Sequence, residues 1–71
     1  MNGKEEAILS KLKEELETVQ KQGLDAKDIT LILIGVKDAY AKCREILNFE
    51  ISEDFLDSIN ALHNEYFDEV I

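Results

Sequence analysis

Residues 29 to 36 read ITLILIGV, six strongly apolar side chains in eight, inside a chain of 71 residues of which 34% are charged. Whether this run is a strand or part of a helix decides the fold. Alone it suits a buried strand, because β-branched residues favour a pleated backbone. Its flanks point the other way. Upstream, Leu24-Asp25-Ala26-Lys27-Asp28 offers Asp25 as a helix N-cap, Asp28 at the positive end of the helix dipole, and Leu24 placed to staple onto Ile29. Downstream, KDAYAKCREIL keeps a helical period with no turn signal before Asn48. A lone strand would also have no sheet to join. The run is read as the heart of a helix over about 26–47.

The same logic extends in both directions. From Gly3 to Gln22 a narrow stripe of Leu9, Leu12, Leu16 and Val19, with Ile8 beside it, predicts a helix over about 3–22, ended by Gly23. Ser52 repeats the capping signal, with Glu53 and Asp54 in the first turn and Ile51 placed to staple onto Leu56, and predicts a third helix over about 53–69. With no proline and three glycines, the expectation is all-α: one compact three-helix bundle, antiparallel or splayed, spanning 1–71, its middle helix the most apolar.

At about 100° per residue, helix 2 gathers Ile29, Ile32, Leu33, Val36, Ala39, Tyr40, Cys43, Ile46 and Leu47 on one broad face, the expected core face. Leu31 and Ile34 fall on the far side with Asp38, Ala41 and Glu45, and Gly35 at their flank. Either helices 1 and 3 clasp helix 2 from both sides and bury that far side, or it is a contact surface. Helix 3 collects Phe55, Ile59, Leu62, Tyr66 and Val70 on one side, widened by Leu56, His63 and Phe67, with Asp54, Asp57, Asn64, Glu65 and Asp68 opposite.

Charge is segregated more sharply than grease. Sixteen acids and eight bases give a net charge of −8, and every Lys and Arg lies at or before Arg44. The last third holds Glu45, Glu50, Glu53, Asp54, Asp57, Glu65, Asp68 and Glu69 with no base among them. Such a chain does not bind nucleic acid directly, since phosphate contacts need clustered cations. A protein with a basic surface is the natural complement.

Chemical motifs are missing. The three glycines are too dispersed for a phosphate loop, no calcium loop is spelled out, and His63 has no good metal ligand at its helical neighbour positions. Cys43 and His63 lack a third group to orient a nucleophile, so Cys43 is expected to be a buried structural residue. No enzyme activity, cofactor or metal is expected. The single cysteine and the charged N-terminal residues suggest a cytoplasmic protein, and the apolar run is short of the ~20 residues a membrane helix needs.

The expected function is a small acidic protein-binding module, an inhibitor or regulator that occludes a basic, nucleic-acid-binding partner. Chains of this size and charge are common among phage-encoded and antitoxin-like inhibitors, an analogy of class only. Its expected partner or dimer interface is Leu31, Ile34, Ala41 and Phe49, with a homodimer through helix 2, and its acidic surface is Asp54, Asp57, Glu65, Asp68 and Glu69. The alternative is a self-assembling scaffold subunit acting through apolar helix faces.

Overall fold

Asn2 starts the first helix. Its side chain accepts the Glu5 N–H at 2.8 Å while the Glu5 carboxylate accepts the Asn2 N–H at 3.1 Å, a reciprocal cap. In the computed structural model, which describes residues 1–70, helix α1 then runs Gly3–Lys21, α2 Ala26–Ile46 and α3 Glu53–Val70. These bounds lie within a residue of those the capping signals predict.

The stops and starts between helices follow local chemistry. Gly23 takes φ 115°, a conformation that side-chain-bearing residues rarely adopt. Around it the Leu24 N–H reaches the Val19 carbonyl and the Gly23 N–H the Gln20 carbonyl, both at 3.1 Å, which satisfies two acceptors in the last turn of α1. Asp25 caps α2 by accepting the Asp28 N–H at 3.0 Å. At the other end Asn48 adopts a left-handed φ of 57°, which turns the Phe49 N–H back onto the Cys43 carbonyl at 3.2 Å, an acceptor it shares with the Leu47 N–H. Ser52 then caps α3 by accepting the Phe55 N–H at 3.2 Å.

Helices α2 and α3 form a tight antiparallel hairpin, and α1 lies more lightly against both. Pairs along the hairpin keep one register: Arg44 with Glu53 as an ion pair, and Lys37 donating to Asn60 at 3.0 Å. Between them Tyr40 meets Phe55 edge-on, centroids 5.0 Å apart. Leu9 and Leu16 of α1, Ile29 and Leu33 of α2, and Phe55, Ile59, Leu62 and Tyr66 of α3 make the core. Although α2 is the most apolar helix in sequence, α3 supplies the largest share of buried side chains. The radius of gyration, 12.5 Å, exceeds the ~11 Å expected of a compact chain this long. The bundle is elongated, 36 × 21 × 16 Å, and leaves much surface uncovered.

That shape corrects the expected core face of α2. Ile29 and Leu33 are buried, and Val36 and Tyr40 are half-buried against them. Ile32, Ala39, Ile46 and Leu47, assigned to the same face, are exposed, Ile46 to 70%. The single stripe of α1 is too narrow to cover an arc that wide. Cys43 is only half-buried for the same reason, and Val70 and Phe67 stand exposed at the end of α3.

Glu5 is the one buried charged residue among the described residues, 6% exposed. Its carboxylate also accepts the Ser52 N–H and the Ser52 hydroxyl, each at 3.0 Å, and so binds the start of α1 to the cap of α3. The Ser52 backbone N–H above all, with help from Asn2 and the Ser52 hydroxyl, holds the Glu5 carboxyl below its ordinary range against the opposing effect of burial. The folded chain thus binds this proton less tightly than the unfolded one. The clasp contributes in full above the unfolded value of about 4.3 and is lost as pH falls through the lower folded value. Glu5→Gln should lower the melting midpoint at neutral pH, because either amide orientation turns NH2 toward a backbone N–H, of Asn2 or of Ser52. Thermal melts between neutral pH and about pH 3 should fall less steeply for the variant than for the parent; parallel curves would assign the acid sensitivity elsewhere.

Candidate interaction surfaces

Leu31 and Ile34 stand in solvent, 58% and 52% exposed, since neither α1 nor α3 covers the far side of α2. The clasped arrangement that would bury them is not the one the chain adopts. The hairpin register brings the exposed Phe67 and Val70 of α3 alongside, so that they line one shallow cleft with Lys27, Thr30, Leu31, Ile34 and His63. A second cleft continues it, from Ile34 and His63 to Leu33, Lys37, Asp38, Ala41 and Asn60. Leu31, Ile34 and half-buried Ala41 thus share one strip, joined by Phe67 and Val70. His63 is half-buried at its edge, its ring stacked 6.0 Å from that of Phe67.

Phe49 does not belong to that strip. It is exposed with Ile46 and Leu47 at the turn after α2, and borders a cleft of about 450 Å³ lined also by Ile8, Tyr40, Cys43, Ile51 and Phe55. Cys43 and His63 therefore line different clefts, and the fold does not bring them together. Among the described residues no group of three or more His, Cys, Asp or Glu is gathered to hold a metal ion, and no helix is long and apolar enough to cross a membrane.

The acidic surface of α3 falls in two groups, one at each end of the helix, with no acid between Asp57 and Glu65. Asp54, Asp57, Glu65, Asp68 and Glu69 are all exposed. Asp54 lies 3.7 Å from the Met1 amino group and Glu53 pairs with Arg44, whereas Asp57, Glu65, Asp68 and Glu69 have no cation within ion-pair distance among the described residues. Three of these four crowd the C-terminal end of α3, whose last turn carries no base. That end of a helix is already negative, so carboxylates there raise the energy of the free chain. Tyr66 registers their presence: burial first, then Glu17, Glu69 and Glu65, push its phenol above its ordinary pKa.

Gly35, mid-helix in α2, is also exposed, and a methyl group placed on it would meet no atom of its own chain. Glycine there costs the helix roughly 1 kcal/mol relative to alanine, with no internal return. No family model matches the chain, and no curated protein or solved structure matches it either.

Two stability measurements separate strip from core. The Leu31→Glu, Ile34→Glu double variant should keep parental helicity and melting point in dilute solution, both side chains being exposed in the monomer. By contrast Leu33→Ala, next to Ile34 in sequence but fully buried, should cost about 2–5 kcal/mol. Urea titrations followed by circular dichroism decide it; a double variant that unfolds would mean the strip is core. In dilute solution Gly35→Ala should raise the unfolding free energy by roughly 0.5–1 kcal/mol, read from the same titrations.

Proposed function

We propose that this chain is a non-catalytic, protein-binding module whose acidic α3 face docks on, and occludes, the basic surface of a nucleic-acid-binding protein. The observation that carries this reading is the unrelieved negative end of α3, where Glu65, Asp68 and Glu69 are exposed without a neighbouring cation. A solvated helix that served only solubility would intersperse both signs and would place bases, not acids, at its last turn. A cationic surface removes that repulsion on binding, so part of the binding energy is already stored in the free chain.

Asp57, Glu65 and Asp68 recur along the outer side of α3, away from its buried side chains Ile59, Leu62 and Tyr66. Carboxylates carried on a rigid rod imitate, in sign, the phosphates that such a partner binds. Nothing in this mode requires a cofactor, a metal or a nucleophile, and it needs the α3 rod only to stay straight and charged. It is consistent with a cytoplasmic protein, and with the inhibitor class to which size and charge pointed.

The test is competition and capture. Asp57→Lys, Glu65→Lys and Asp68→Lys together should leave the fold intact, all three being exposed, and should abolish salt-sensitive retention on a partner captured from the source cell. Retention by the parent should fall steeply as ionic strength rises and the Debye length drops below ~8 Å. Capture that survives both the triple reversal and high salt would remove the electrostatic basis of the proposal.

A further inference from the structure

We infer that the outer face of α2 is a self-complementary seam on which a second copy of this chain packs antiparallel, with Leu31 against Ile34 at the centre and Lys27 against Asp38 at both ends. This surface is distinct from the acidic face of α3 and does not depend on what that face binds.

Lys27, Leu31, Ile34 and Asp38 follow one another at intervals of four, three and four residues, the rhythm of a helix–helix seam, and span about 16 Å of helix. The order is a palindrome in position and complementary in charge. Turned end for end about the midpoint of Leu31 and Ile34, the helix meets itself with each Leu31 opposite an Ile34 and each Lys27 opposite an Asp38. A parallel pairing would set Lys27 against Lys27 and Asp38 against Asp38, which like-charge repulsion disfavours. The sequence therefore selects one of the two orientations.

The structure supplies the rest. All four side chains are exposed. Lys27 sits in the first turn of α2, at the positive end of its dipole, and has no carboxylate within ion-pair distance among the described residues. A cation placed there is unfavourable for its own helix and is relieved by a carboxylate from outside. Asp38 bonds Lys42 one turn on, at 2.9 Å, in an exposed pair that a second cation can share. Phe67 and Val70 widen the apolar floor beside Leu31, so the contact is broader than one helix edge. Gly35 lies at the flank of the seam with open space over its Cα, and so adds no side chain to obstruct a second copy.

Equilibrium sedimentation of the full chain tests the seam. The parent should show a concentration-dependent dimer, and the Leu31→Glu, Ile34→Glu variant should sediment as a monomer with unchanged circular dichroism. Lys27→Glu alone, or Asp38→Lys alone, creates like-charge contacts at both ends and should weaken the dimer roughly tenfold. The Lys27→Glu, Asp38→Lys double variant should restore parental affinity, and an equimolar mixture of the two single variants should form a heterodimer tighter than either homodimer. A parent that stays monomeric at millimolar concentration overturns the inference, as does a double variant no tighter than the singles.

Discussion

The carboxylate of Glu5 decides how the first helix meets the other two. It accepts N–H groups from Asn2 and Ser52 and the Ser52 hydroxyl, so a single side chain caps α1 and fastens it beside the cap of α3. With that end fixed, Leu9 and Leu16 fall onto the groove between α2 and α3, and the remaining course of α1 is set by its stripe. The far side of α2 is uncovered because α1 has been placed on the near side. Uncovered apolar surface is thus a consequence of where one buried charge finds its donors.

Much of this was readable from residue chemistry. Gly23, Asp25, Asn48 and Ser52 mark helix ends by local rules, and each does in the structure what its side chain or backbone freedom suggests. The strand-like ITLILIGV run became helical because its flanks supplied caps and its surroundings no sheet. What could not be read was coverage. A helical wheel orders residues by direction, yet whether Ile32, Ala39, Ile46 and Leu47 are buried depends on the width of the neighbours, and α1 is narrow. Likewise the Glu5 clasp was not foreseen, for its bond to Ser52 spans 47 residues and belongs to the tertiary fold. The strip was only half visible for the same reason: Leu31 and Ile34 stood out on one helix, while Phe67 and Val70 joined them through the hairpin register.

Grease and charge occupy different faces, and the separation has a physical logic. The seam of α2 carries both signs, Lys27 and Asp38, at the ends of an apolar centre, a layout suited to matching a copy of itself. The outer face of α3 carries one sign only, a layout that repels its own copy and favours a cationic stranger. One chain can present both without conflict because antiparallel packing through α2 leaves the α3 face of each copy free. A paired molecule would carry two acidic faces, which strengthens binding to any partner able to engage both.

The unequal packing of the three helices also sets an order of assembly. The α2–α3 hairpin closes over a short turn, and its main pairs, Tyr40 with Phe55 and Lys37 with Asn60, are near in sequence. Contacts of α1 with α3 must close most of the chain, which is slower because of the entropy of the larger loop. On these grounds α1 is expected to dock last and lift away first, uncovering Ile29 and Leu33 of the core. Amide hydrogens of α1 would exchange ahead of those of α3 in the native state; equal protection of the two helices would mean that the molecule opens as a single unit.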